Sequence, residues 1–319
     1  MHLHQLVTMP HDLLILGWHN VEGTWCFPSN PGQGSRGLAA QLRWVRRLGH
    51  VVDLGEALAT LNDGGSLPAR SVALTFDDGY RDNLSIAEPL LRQLGIPATF
   101  FLVPSFLSGA TSPWWEALAF AIQTTTRPSL SWEGELYSLL GAERRSAIET
   151  VSVRLKRLDQ ARRDTAVAAI VEQLEPERHA DLARMFLDWD DARDLARRGG
   201  AIGSHSLDHA ILANETPSVQ HKNLAGARRQ LEDELLAPVD LLAYPNGTAD
   251  DFDMTTEEAA RDVGYRCGVT TIPGWNSAST PPYQLRRYVL SPERGELAFK
   301  SIAKHAVARS FAPNPARRR

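Results

Sequence analysis

Apolar positions along the chain follow two different periods. Short, largely apolar runs at Leu13–Leu16, Val72–Phe76, Ala98–Val103, Ala201–Ser204, Asp240–Tyr244, Tyr265–Thr270 and Leu285–Val289 read as strands. Helical patterns separate them, which predicts an α/β layout with a mainly parallel sheet. Val72–Phe76 is apolar almost throughout, as expected of a strand buried on both faces. No internal repeat is visible.

Between residues 105 and 188 the period changes. Ile148, Val151, Leu155 and Leu158 recur at helical spacing, as do Val167, Ile170, Val171 and Leu174, with Arg and Glu on the other faces. This predicts an all-helical insertion between two strands of the sheet, serving as a lid or groove wall; a hairpin that caps the sheet or docks another subunit is the alternative. Trp114 and Trp115 open it after Pro113. Neighbours on a helix diverge by about 100° and seldom share one face, which places one in the core and leaves the other to face a groove, with a sugar platform as the lesser reading.

Two motifs stand at predicted strand ends. Asp77 and Asp78 close Val72–Phe76, with Gly79 at the turn, and His205 and His209 follow Ala201–Ser204. Each alone has a structural reading: Asp-Asp-Gly as a side-chain-bonded turn, and His-x-x-x-His as a solvated helix face. Together they are the parts of a hydrolytic metal site. A divalent cation held by two neutral imidazoles and one carboxylate keeps positions open for water and a substrate oxygen, and lowers the pKa of the water. The second carboxylate is then free to act as general base.

Thr75-Phe76-Asp77-Asp78-Gly79, His205-Ser206 with His209, and Ala243-Tyr244-Pro245-Asn246-Gly247 occur in the order of the polysaccharide deacetylase family, the carbohydrate esterases of family four, which the chain resembles. Gly95 to Phe101 and Trp189 to Ser204 extend the likeness to about two thirds of the chain. The resemblance implies a distorted, incomplete (β/α) barrel. It implies Asp77 as general base, Asp78, His205 and His209 as metal ligands, and the Tyr244 to Gly247 segment as a groove wall. It also implies a backbone amide of that segment as oxyanion donor; here the Tyr244 amide is the expected one, since Pro245 has no N–H.

The chain departs from the family pattern twice. The arginine that tethers the base in the third motif is missing from Leu241-Leu242-Ala243, and Arg287, on the late strand, is the candidate replacement; two arginines on a solvated edge strand, Arg286 and Arg287, are the alternative. The late histidine that protonates the leaving amine is also missing. His305 lies in a charged, helix-like stretch, so His19, which follows the apolar run at Leu13–Leu16, is the candidate acid; a structural buried histidine is its alternative.

Composition narrows the picture only slightly. The 319 residues, 43% hydrophobic and 23% charged, suffice for one large core or two modest ones, and a net charge of −4 gives no electrostatic case for nucleic acid or anionic membranes. Cys26 and Cys267 lack metal-ligand spacing and are expected as free thiols. No membrane span or targeting segment is visible at the N-terminus, so the sequence as written predicts a soluble, cytoplasmic protein, with export by another route or a misplaced start as alternatives. The expected organisation is a catalytic domain over residues 1–310, with the insertion at 105–188, and a disordered Pro- and Arg-rich tail at 311–319.

The expected activity is metal-dependent removal of N-acetyl groups from the amino sugars of a poly- or oligosaccharide. Zinc is the default metal, and nickel or cobalt would also suit imidazole ligands. An amidase of the same fold acting on a cyclic amide and a non-catalytic glycan-binding relative are the other classes.

Overall fold

The computed structural model describes residues 12–176 and 181–292; His305 and the tail at 311–319 lie outside the described residues. The main sheet is built from β1 (Leu13–Trp18), β2 (His50–Val51), β3 (Ser71–Phe76), β4 (Thr99–Leu102), β7 (Ala201–Ser204), β8 (Leu241–Ala243), β9 (Cys267–Val269) and β10 (Tyr288–Val289). β5 (Ser129–Trp132) and β6 (Glu135–Ser138) form a separate hairpin. The order is β10-β1-β3-β4-β7-β8-β9, with β2 also on β3, and every pairing in this sheet is parallel. The sheet curls into the incomplete (β/α) barrel that the motifs imply.

Strand alternation divides the core in two. Leu13, Ile15, Ala73, Phe101, Leu241, Ala243, Cys267 and Val269 pack together inside the curl, joined by Leu54, Ala57 and Leu61 of a helix over Leu54–Asn62. Leu14, Leu16, Trp18, Val72, Leu74, Phe76, Phe100 and Leu102 face outward onto the surrounding helices. Burial on both faces is why these strands read as continuous apolar runs.

The expected strand Leu285–Val289 is interrupted. Leu285 bridges to Val269, and only Tyr288–Val289 pairs with β1, so this one segment spans the gap between β9 and β1. Between the two contacts the chain turns the Arg287 side chain into the barrel, where it is fully buried.

The insertion between β4 and β7 is not wholly helical. Besides helices over Trp114–Thr124, Glu143–Leu155 and Gln160–Leu174 it holds the β5–β6 hairpin. Glu133 and Gly134 both take positive φ, 50° and 78°, as a tight two-residue hairpin loop requires. Leu130 and Tyr137 turn into the insertion's own core with Trp114, Leu118, Ile148, Val151, Ile170 and Leu174. Contrary to expectation, neither tryptophan faces an open groove, because both are buried. Trp114 lies under the Arg163 guanidinium, and Trp115 donates its Nε1 proton to the Tyr80 hydroxyl at 2.9 Å. Cys26 and Cys267 are free thiols, and among the described residues no helix is long and apolar enough to cross a membrane.

Candidate metal centre

The carboxyl ends of β3 and β7 deliver the first three groups. Asp78 follows β3 with φ 70°, next to Gly79 at 76°, and His209 sits on the loop after β7 with φ 58°. Left-handed backbone at non-glycine residues is costly and clusters where geometry serves function. Here it turns Asp78 and His209 onto one point with His205: Asp78 Oδ1 is 3.3 Å from His205 Nε2 and 3.3 Å from His209 Nε2. One ligand atom from each of the three residues lies within 4.8 Å of the others.

His205 Nδ1 lies 2.8 Å from the Ala243 carbonyl, which can only accept, so Nδ1 carries the proton and Nε2 is turned to Asp78. Such an outer hydrogen bond is the usual means of orienting a ligating imidazole. Asp78 Oδ1 and His205 Nε2 are buried without a hydrogen-bond partner among the described residues. Buried polar atoms converging in this way fit a cation with oxygen and imidazole ligands. Burial pushes the Asp78 carboxyl up, but the two imidazoles hold it well below the ordinary carboxylate range. His205 is drawn up by Asp78 and Asp77 against its burial, whereas burial prevails at His209 and lowers it. Aromatic rings fix His209 from the insertion side: Trp115 at 4.6 Å and Phe106 at 6.2 Å between centroids.

Asp77 faces a different partner. Arg287 Nη1 donates to Asp77 Oδ1 at 2.7 Å and Nη2 lies 2.7 Å from Oδ2, a two-pronged pairing of planar groups. Arg287 also donates to Thr75 Oγ1 at 3.1 Å and to the Thr270 carbonyl at 3.2 Å. Gly17 leaves room for it, since a Cβ there would stand 2.9 Å from Arg287 Cδ. Burial raises the Asp77 pKa, and Arg287, His205 and His19 together bring it below the ordinary value. His19 Nε2 is 3.8 Å from Asp77 Oδ2, and its side chain is 33% exposed, at the mouth of the site.

Tyr244 needs correction. Its N–H donates to the Val269 carbonyl at 3.0 Å, within the β8–β9 pairing, so this amide is already engaged. Pro245 has no proton, and the Gly247 N–H turns back to the Pro245 carbonyl. The Asn246 N–H makes no hydrogen bond to a described residue, and Asn246 has φ 64°. The Asn-Gly pair at 246–247 signalled a positive-φ turn but not which amide would be left free. The Tyr244 hydroxyl donates to the Tyr283 carbonyl, and its ring stacks on Phe252 in the core.

The sequence profile of the polysaccharide deacetylase family matches residues 64–268. YxkH of Bacillus subtilis (strain 168) is 22% identical over 82% of this chain and 66% of its own length. The poly-β-1,6-N-acetyl-D-glucosamine N-deacetylase of Escherichia coli (strain K12) is 30% identical over 31% of this chain and 15% of its own. The chain therefore spans less than two thirds of the length of these curated relatives. Among solved structures, the Streptococcus pyogenes deacetylase PplD, in complex with acetate, superposes with a TM-score of 0.61 at 16% identity, covering 92% of this chain and 99% of that one. IcaB from Ammonifex degensii gives 0.58 at 19% identity, covering 93% and 97%. With most of the described sheet and all three motifs inside the matched region, the chain belongs to the polysaccharide deacetylase family.

Proposed function

We propose that this protein is a metal-dependent hydrolase that removes N-acetyl groups from the amino sugars of a poly- or oligosaccharide and releases acetate. One observation carries the reading: Asp77, clamped by Arg287, stands beside an Asp78, His205 and His209 cluster suited to a cation. That is the separation of base from ligands which amide hydrolysis needs.

Asp78 Oδ1, His205 Nε2 and His209 Nε2 would hold the cation, zinc by default with nickel or cobalt also suited. Bound there, it would supply Lewis-acid polarisation of the acetamide carbonyl and a lowered pKa for an attacking water. Asp77 takes the proton from that water. Arg287 keeps the carboxylate ionised and fixes its plane, so no reorientation is needed at the moment of attack. The Asn246 amide, not that of Tyr244, donates to the oxygen that becomes negative. His19, beside Asp77 and open to the groove, returns a proton to the departing nitrogen. The N-acetylglucosamine polymer in the name of the Escherichia coli relative supports the choice of an acetylated amino sugar.

The test is acetate release by metal-loaded protein from N-acetylglucosamine oligomers, against ring opening of a cyclic amide. Turnover of the cyclic amide alone would replace this reading with an amidase. Binding of the oligomer without acetate release would make the chain a non-catalytic glycan binder.

A further inference from the structure

Besides the rings packed on His209, one turn of the insertion reaches the third motif. Asn214 Nδ2 donates to the carbonyls of Lys156 at 2.8 Å and Leu158 at 3.0 Å, and Glu215 accepts from the Gln160 N–H at 2.7 Å. These bonds pin the turn after the Glu143–Leu155 helix to the loop that carries His209. From the same turn, the Lys156 ammonium donates to Asn246 Oδ1 at 2.8 Å. Asn246 Nδ2 faces the barrel's own Asp251 at 3.3 Å, so its carboxamide is held from both sides. Its carbonyl is held as well, accepting from the Thr271 hydroxyl at 2.8 Å. The Asn246 N–H shares its peptide plane with the Pro245 carbonyl, which accepts from the Gly247 N–H at 2.7 Å, so a left-handed asparagine tied at its side chain and at the peptides on both sides has little freedom left.

We infer that Lys156 is a positioning residue for the reaction: by gripping the Asn246 side chain it keeps the Asn246 N–H aimed at the developing oxyanion. This rests on the deacetylase reading above and makes the insertion part of the catalytic apparatus. The physical reason is that a preorganised donor is effective only when it does not have to move, and a small misplacement forfeits much of its value. Lys156 itself lies at the exposed rim, so its grip on Asn246 rests on the 2.8 Å contact and on the bonds that pin its turn.

The experiment is a double-mutant cycle on metal-loaded protein with a short acetylated glucosamine oligomer. Lys156→Met should lower kcat about tenfold with KM and metal content unchanged, and Lys156→Arg should recover most of the loss. In an Asn246→Gly background, where glycine accepts the positive φ without strain, the same Lys156→Met change should alter kcat less than about twofold. Hydrogen exchange over residues 244–248 should quicken about tenfold in Lys156→Met whether or not the protein turns over. A rise in KM at constant kcat would make Lys156 a substrate contact and overturn the inference, as would full additivity of the two changes. An active wild type with an unaltered Lys156→Met variant sinks the Lys156 role alone. An inactive wild type whose 244–248 segment still loosens in Lys156→Met sinks the deacetylase reading and the catalytic role with it, and leaves only the contact.

Discussion

At the scale of single residues, the two adjacent aspartates differ in what they face. Asp78 meets two imidazoles and Asp77 meets a guanidinium. Asp77→Asn should therefore cut kcat by at least about a hundredfold while the protein keeps stoichiometric metal. His205→Ala and His209→Ala should lose metal and activity together. Metal analysis beside acetate release decides the matter, and a fast Asp77→Asn enzyme would remove Asp77 as base. Arg287 carries a pH signature. Its charge opposes the effect of burial on Asp77, so Arg287→Met should let Asp77 keep its proton to higher pH and move the acidic limb of the kcat/KM profile upward. Arg286, whose guanidinium donates to the Pro273 carbonyl, is the control and should leave the limb in place. Most of this was legible in the sequence, because side-chain chemistry at strand ends shows in residue types. The third-motif donor was not, because which amide is free depends on how β8 pairs with β9.

At the scale of elements, the strands announced themselves because burial on both faces makes them apolar throughout. The two-residue β2, too short to show a pattern, escaped, and so did two larger features. The β5–β6 hairpin was hidden by strong helical periodicity on either side, and its signal was confined to Glu133-Gly134. The late strand was broken by the need to send Arg287 inward. Trp114 and Trp115 also proved to be core. Because Trp115 and Phe106 pack on His209, and the Leu187 N–H donates to the Gly79 carbonyl beside Asp78, the insertion buttresses the site itself. Replacing residues 105–188 by a short loop should therefore depress activity on small acetamides and on long glycans alike, with weakened metal binding. A milder probe, Trp115→Ala, should destabilise the protein by about 3–5 kcal/mol and lower metal affinity. Loss of activity confined to long glycans would show instead that the insertion only contacts distal sugars.

At the scale of the whole molecule, the three proposed ligands come from opposite sides of a third strand: β3 supplies Asp78, β7 the histidines, and β4 lies between them. A cation held there would tie the two halves of the curled sheet together at its carboxyl end, and would offset the cost of the left-handed backbone at Asp78 and His209. Binding to the folded state alone should add about 2.7 kcal/mol at a hundredfold excess over Kd, which for a chain of this size is a Tm rise of roughly several degrees. Chelator-treated protein titrated with zinc, nickel or cobalt and followed by thermal unfolding measures it. The rise should be present in wild type, survive in Asp77→Asn, and vanish in Asp78→Asn and His209→Ala, because only the latter two remove a ligand. This readout does not depend on turnover, so it separates the roles of the paired aspartates whatever the substrate. A Tm rise that survives Asp78→Asn and disappears in Asp77→Asn would exchange the two roles, leaving Arg287 paired with a ligand rather than with the base.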